Sequence, residues 1–500
     1  MHSFLSLLFA VILYGAPPSP APKATPTMPP LPAPAGTAWT PRQMTALRGK
    51  IDAILKAPTL RGAQIGFYAI DTVRHATIYS RNADEEFMPA SNFKLLVGST
   101  AVQKLGTSFS YVTRVSADGP PAGGTIRGNV YLRGGGDALL RSGDLDAAAA
   151  ALAAQGVRRI QGDVVTDATH FDSQAYGYGW SWDDLPYYYA PVVTALELED
   201  GVAHVTMIPG AKVGDPIDLR VWPQSDAYTI DNQITTGPAG SKDTSDIVRP
   251  WENFSTTIRL TGSYPLGAKE SGDIVPAVPD PQAYAGDVFL RALRAHGVTV
   301  SGAVRKGERP ANAQELWTHR SEQLPQLLQD FWYPSDNLMG ELLLKEVGAA
   351  QSGEPGTDEK GRAAETALLR AAGVDPATVT ISDGSGLSQY DRITPRDFVA
   401  ILQYDWNSPQ RDVILNALPI SGKRGTLGRA YLGTPAQDKV FAKTGSINHV
   451  RTLSGYVQTR THGPVTFSLL FNQWMGEDAA TGAADLAKVR AALLSQFAMQ

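Results

Sequence analysis

Phe87-Met88-Pro89-Ala90-Ser91-Asn92-Phe93-Lys94-Leu95-Leu96 carries the chain's only Ser-x-x-Lys. The apolar run from Phe93 through Val97 to Leu105, closed by Gly106, predicts a helix that begins at Ser91 and is buried over most of its length. Residues three apart on a helix share a face, so Lys94 can reach the Ser91 hydroxyl and take its proton. A free lysine, with a reference pKa near ~10.4, is protonated at neutral pH and cannot serve as a base. The apolar neighbours Phe93, Leu95 and Leu96 would desolvate the ammonium, and the positive end of the helix dipole acts in the same direction, so a lowered pKa is expected. The alternative is an ordinary helix cap followed by a solvated lysine, and the rest of the chain must decide between the two.

Five hundred residues exceed what one compact core usually holds, so more than one domain, or a large insertion, is expected. The net charge is −5 and no block of basic residues stands out, which argues against nucleic acid as a partner. The chain has no cysteine, hence no disulfide and no thiolate metal site. Its eight histidines show no metal-ligand or triad spacing, so a histidine-built metal centre or triad has no visible support. Phe4 to Ala16 form a short apolar segment that reads as a signal peptide or an uncleaved anchor over residues 1–16. That places the protein outside the cytoplasmic membrane, in the periplasm or beyond, with membrane association at most through this segment. From Pro17 to Pro34 nine of eighteen residues are proline, and residues 17–39 are read as an extended tether.

Folding is expected to start at Thr40-Pro41-Arg42-Gln43, which combines a helix cap, a proline at the first helical position and a capping-box glutamine. Met44, Leu47, Ile51, Ile54 and Leu55 then fall on one face. Ile65 to Ile70 and Ala76 to Ser80 read as an antiparallel hairpin. Val440 to Thr444, Leu453 to Val457 and Val465 to Phe471 read as three strands before a terminal helix carrying Leu486, Val489, Leu493 and Phe497. The two chain ends, residues 40–115 and 311–500, therefore predict one α/β (α+β) domain: an antiparallel sheet with terminal helices on one face and Ser91 on the other. Residues 116–310 alternate short strands with Gly, Pro and Asp and read as inserted, mostly β subdomains, rejoined through a helix near Pro281 to His296. Gly134-Gly135-Gly136-Asp137 lacks the context of a phosphate-binding loop and reads as a tight turn. Trp180, Trp182 and Tyr187 to Tyr189 either stack on sugar rings or belong to a subdomain core.

Two further segments supply polar groups. Pro334-Ser335-Asp336-Asn337 opens a helix running to Val347; Ser335 could relay a proton between Lys94 and a leaving group, and Asn337 could hold a substrate amide, although the same residues suit a plain cap. Lys443-Thr444-Gly445-Ser446 follows strand residues Val440 and Phe441. Gly445 there would let a ligand backbone pair with the strand edge, and Lys443 would supply fixed positive charge for an anionic terminus; the alternative is a surface strand end.

Taken together, Ser-x-x-Lys, Ser-x-Asn and Lys-Thr-Gly in this order resemble the motifs of penicillin-binding proteins and serine β-lactamases. The interval from Ser91 to Ser335 is more than twice that from Ser335 to Lys443, unlike the compact β-lactamases. It is similar instead to the class C low-molecular-mass penicillin-binding proteins, the D-alanyl-D-alanine carboxypeptidase/endopeptidase type. The likeness includes Tyr131-Leu132-Arg133-Gly134-Gly135-Gly136-Asp137, Trp180-Ser181-Trp182-Asp183-Asp184, Asp383-Gly384-Ser385-Gly386-Leu387-Ser388 and Thr452-Leu453-Ser454-Gly455-Tyr456-Val457. Gln389 stands where that family often has arginine, which bears on how a substrate side chain is gripped.

The resemblance implies a transpeptidase-like catalytic domain in which Ser91, deprotonated by Lys94, attacks D-alanyl-D-alanine ends or D-alanyl cross-links of peptidoglycan stem peptides through an acyl-enzyme. It also implies an oxyanion hole from the amides of Ser91 and Ser446, a carboxylate site at Lys443, Thr444 and Ser446, and acylation by β-lactams as inhibitors. Asp167 and Phe171 would border the pocket for the stem's third residue. A β-lactamase, or a wall- or penicillin-binding protein without turnover, are the alternatives.

Overall fold

The computed structural model describes residues 36–249, 255–268, 272–478 and 481–500; the expected export segment and tether residues 17–35 lie outside these. Among the described residues no helix is long and apolar enough to cross a membrane. The last tether residues are packed: Trp39 is buried and stacks on His462 with ring centroids 4.3 Å apart.

The first helix, Pro41–Ile54, starts with the expected capping box between Thr40 and Gln43. Strands from both chain ends then form a five-stranded antiparallel sheet in the order Val440–Ile447, Val450–Gln458, Pro464–Asn472, Gln64–Asp71, Thr77–Arg81. Alternate residues separate its faces. Ile65, Phe67, Ala69, Val465, Phe467 and Leu469 pack against the terminal helices through Leu47, Ile51, Leu493 and Phe497. Tyr456 and Leu470 face the other way, into a core built by the helices Lys94–Leu105, Leu324–Trp332, Asn337–Ser352, Asp358–Ala371 and Pro395–Asn407.

The strands Val112–Ala117 and Gln314–Arg320 pair with each other and close a second, mixed five-stranded sheet that includes Val130–Arg133, Val164–Asp167 and Val304–Lys306. The helices Ser142–Ala154 and Pro281–Ala295 share its core, and smaller sheets of short strands complete this central region. The triple glycine, expected as a tight turn, instead runs on from the strand with its Gly134 amide on the Asp167 carbonyl and its Gly136 amide on the Ala195 carbonyl, and bends at Gly136, which has φ +94°.

One helix ties these parts together. Asn337–Ser352 is capped by Asp336, whose carboxylate accepts from the Met339 amide at 2.8 Å. Down one face it presents Asn337, Gly340, Glu341 and Lys345, the spacing of neighbours on a helix surface. Lys345 bridges Asp172 at 2.6 Å and Asp358 at 2.8 Å, and Glu346 contacts His170 at 2.7 Å, so this helix grips the central region. Gly340 meets the turn at Gly384 backbone to backbone; a Cβ there would lie 2.8 Å from the Gly384 carbonyl oxygen. Backbone cannot swing aside as a side chain can, so Gly340→Ala should destabilise the fold by about 1–3 kcal/mol. Urea denaturation would measure this, and an unchanged midpoint would contradict the close approach.

Candidate active site

Ser91 does not begin the long helix, as the sequence had predicted. It sits in a single tight turn, Ala90–Phe93, that precedes the helix Lys94–Leu105. The difference is local strain: Ala90 has φ +47°, a left-handed conformation that an L-residue adopts only when its surroundings hold it there. The surroundings are the sheet. Thr452 Oγ1 donates to the Pro89 carbonyl at 2.7 Å, and Asn92 Nδ2 donates to Ser454 Oγ at 2.7 Å. Gly445 has a role other than the one expected of it. A Cβ there would lie 2.1 Å from Thr452 Oγ1 and 2.8 Å from the Pro89 carbonyl oxygen, so this glycine lets the Ser91 turn press against the strand.

Lys94 is fully buried under Trp332, whose indole N–H donates to the Lys94 carbonyl at 3.1 Å. Its Nζ has three neighbours: Ser91 Oγ at 2.9 Å, Asn337 Oδ1 at 2.6 Å and the Ser385 carbonyl oxygen at 2.6 Å. The Asn337 amide is oriented by its own donation to the Tyr189 carbonyl at 2.7 Å, so its oxygen faces the amine. Two of the three neighbours can only accept. A neutral amine has two N–H bonds and one lone pair. With both N–H bonds directed at Asn337 and Ser385, the lone pair falls on the Ser91 hydroxyl. Burial pushes the Lys94 pKa down to about 8, against the opposing pull of Asp383, Asp336, Glu341 and Asp391. At that value about one lysine in ten is neutral at pH 7.

The remaining predicted groups converge on the same cleft, which encloses about 480 Å³. Ser335, with φ +69°, accepts from Lys443 Nζ at 2.7 Å, and Lys443 also donates to the Thr444 carbonyl at 2.9 Å. Ser91, Ser335, Asn337, Thr444 and Ser446 line the cleft, and Thr444 Oγ1 donates to Thr426 at 2.7 Å. Lys443, expected as a fixed charge, is completely buried, and burial together with the nearby Lys94 pushes its pKa well below the ordinary lysine value.

Asp167 and Phe171 are placed elsewhere. Asp167 is buried and accepts from the Thr169 amide at 2.8 Å and the Arg309 amide at 2.8 Å, while Phe171 packs in the helical core. Neither lines the cleft. Asp184, Tyr188, Leu387 and Gln389 do, and Arg451 joins the strand side, with its guanidinium stacked over Trp474. Among the described residues no group of three or more histidines or carboxylates is placed to hold a metal ion.

In sequence the Asp383–Ser388 stretch carries only a family likeness. The Asp383 carboxylate is buried and accepts from Trp180 Nε1 at 2.8 Å, Ser385 Oγ at 2.9 Å, the Gly386 amide at 2.7 Å and the Ser388 amide at 2.9 Å. Glu341 accepts from the Gly384 amide at 3.1 Å. Asp391, whose pKa burial and the adjoining Asp383 push well up, lies beside it. Together these bonds fold the turn so that the Ser385 carbonyl points at Lys94.

A family model described as D-Ala-D-Ala carboxypeptidase 3 (S13) matches residues 47–493. The chain is 37% identical over 448 residues to a D-alanyl-D-alanine carboxypeptidase of Actinomadura sp. (strain R39), covering 87% of this chain and 82% of that one. It is 26% identical over 443 residues to D-alanyl-D-alanine carboxypeptidase DacB of Haemophilus influenzae, covering 87% and 90%. The crystal structure of penicillin binding protein 4 from Haemophilus influenzae superposes with a TM-score of 0.79 at 25% identity, over 88% of this chain and 97% of that one.

Acylation of Ser91 should rise with pH through about 8, since it needs the neutral form of Lys94. The Asp383 carboxylate holds the Lys94 pKa up, so Asp383→Asn should move the midpoint of the pH–rate curve to lower pH while reducing the plateau roughly tenfold or more. A lowered plateau with an unmoved midpoint would show that Asp383 shapes the turn without setting the charge of Lys94.

Proposed function

The chain belongs to the D-Ala-D-Ala carboxypeptidase 3 (S13) family, and from that premise we propose how its cleft performs the reaction. It is a serine-type D-alanyl-D-alanine peptidase. The observation that carries the residue assignment is the 2.9 Å contact between Lys94 Nζ and Ser91 Oγ, in an amine whose other two hydrogen bonds go to acceptors.

As Ser91 Oγ attacks the carbonyl carbon between the two D-alanines, its proton passes to the Lys94 lone pair. The backbone amides of Ser91 and Ser446 receive the developing oxyanion, a contribution of about 10²–10³ in rate per donor in comparable sites. Collapse breaks the C–N bond. The leaving amine takes the proton that Lys94 received, relayed through Ser335, which is held by Lys443 and lies on the same cleft. Water then attacks the acyl carbonyl and gives its proton to Lys94, which passes it to Ser91 Oγ as the ester bond breaks.

The substrate's terminal carboxylate lies at Lys443, Thr444 and Ser446, with Arg451 beside them, and an anion there favours the charged form of Lys443. The stem's third side chain faces Asp184 and Gln389, since these line the cleft and Asp167 and Phe171 do not. A D-alanyl cross-link offers the same bond, so endopeptidase action uses the same groups. β-lactams, which mimic the D-alanyl-D-alanine end, acylate Ser91; a solved relative is itself named a penicillin binding protein. Peptidoglycan as substrate places the work outside the cytoplasmic membrane, with residues 1–16 as the export segment, residues 40–115 and 311–500 as the catalytic domain and 116–310 as the insertion.

Ser91→Ala should abolish covalent labelling by a fluorescent penicillin while leaving the fold intact, and labelling that persists would overturn the nucleophile. Incubation of the wild type with a stem pentapeptide and with a cross-linked dimer should release D-alanine from the first and monomers from the second. Rapid turnover of penicillin with neither product would mark a β-lactamase instead.

A further inference from the structure

Beside the cleft the chain leaves large aromatic side chains in water. Tyr178 is 63% exposed, Tyr390 57% and Trp182 79%. Scattered exposed aromatics need no explanation, but Tyr178 and Tyr390 share one neighbourhood and rigid supports. Tyr178 and Tyr390 come from different regions of the chain and pack on each other with ring centroids 5.7 Å apart and planes 34° apart. The Tyr390 ring lies on the backbone of Gly179: a Cβ there would be 2.4 Å from Tyr390 Cδ2, and Gly179 has φ +83°. The next residue, Trp180, is pinned by its indole bond to Asp383 at 2.8 Å, and the Tyr390 amide is held by Ser388 Oγ at 3.2 Å. The rings are thus fixed in place without being buried, the state of a binding surface organised in advance of its ligand.

The strip is continuous with the cleft. Tyr390 directly follows Gln389, which lines it, and Trp182 lies two residues before Asp184, which also lines it. Both belong to the wall built by the Asp383–Ser388 turn and the inserted region. The opposite, sheet-edge wall carries Thr444, Ser446 and Arg451. A stem peptide whose carboxylate is held on the sheet-edge wall would run its amino-terminal part along the other wall and leave past Tyr390. What is attached at that end of the stem is the glycan.

We propose that Tyr178 and Tyr390, extended by Trp182, form a sugar-binding surface that stacks on the N-acetylated hexosamine rings of the glycan bearing the stem peptide being cleaved. A pyranose offers a face of C–H bonds to an aromatic ring and hydroxyls at its edge to the phenol oxygens, and paired, rigid, amphipathic rings suit that combination. The surface adds affinity for substrate still attached to sugar and leaves the reacting groups untouched. The inference rests on the peptidase reading above.

The test compares two substrates, a disaccharide-pentapeptide and the same pentapeptide freed of sugar. The double variant Tyr178→Ala, Tyr390→Ala should lose roughly tenfold in kcat/KM on the sugar-bearing substrate, through KM, and stay within about twofold of wild type on the free peptide. Tyr178→Phe and Tyr390→Phe, which keep the rings, should retain most of the preference. An equal loss on both substrates, or no loss on either, would overturn the proposal. Should the wild type cleave neither substrate, the peptidase reading fails, and the sugar site is then decided by binding. Ser91→Ala must hold the disaccharide-pentapeptide more tightly than the free peptide, and lose that difference with the two tyrosines.

Discussion

A buried amine cannot satisfy three oxygen neighbours in the same way once it has lost a proton, and much of this structure follows from that constraint. Lys94 meets one hydroxyl and two carbonyl-type oxygens, so its neutral form has one satisfying arrangement: two donations outward and a lone pair toward Ser91. Removing a lysine from water is expensive. Here the cost is moderated by carboxylates that act from a distance, foremost Asp383, so that the amine titrates at about 8, between a permanent cation and a group that never charges. A base poised close to neutrality gives up its proton as readily as it takes one, which a two-stage acyl transfer requires.

Each neighbour of Lys94 is delivered by a different part of the chain and fixed by a different device. The Ser91 turn is strained at Ala90 and clamped to the sheet through Thr452, Ser454 and the missing side chain of Gly445. Asn337 is oriented by the Tyr189 carbonyl, and the Ser385 carbonyl is aimed by a turn wound around Asp383 and tied to Trp180. Tyr189 and Trp180 both belong to the central region between the two halves of the main sheet. That region therefore completes the coordination of the base, besides contributing a wall to the cleft. The second lysine, Lys443, is buried near Lys94, and burial together with that like charge pushes its pKa below the ordinary lysine value.

Much of this was legible before any coordinates. The sheet strands, the terminal helices and the Thr40–Gln43 capping box follow from alternation, helical periodicity and cap chemistry, because local pattern and burial agree there. The three polar motifs were legible because reactive side chains are named by residue type. The Ser385 carbonyl was not, since every residue carries one and only the turn selects it. Asp383 was visible as part of a likeness, while its work, collecting four donors, depends on contacts with Trp180 about two hundred residues away. Gly445 was given to the ligand because a strand-edge glycine has that use elsewhere, whereas here the close neighbour is the protein's own Pro89. Asp167 and Phe171 failed as cleft residues because a strand end and an aromatic can as well be interior packing, which burial reveals and sequence does not.

The central claim is that Lys94 is a base because its surroundings depress its pKa, and the most direct measurement is a titration of that one amine. With lysine labelled at the ε-position and the Lys94 resonance assigned by Lys94→Arg, nuclear magnetic resonance should show this signal titrating near pH 8, well below the reference lysine value of about 10.4. A Lys94 signal that titrates together with the exposed lysines would contradict the account, for the amine would then be a cation at neutral pH with no lone pair to turn toward Ser91.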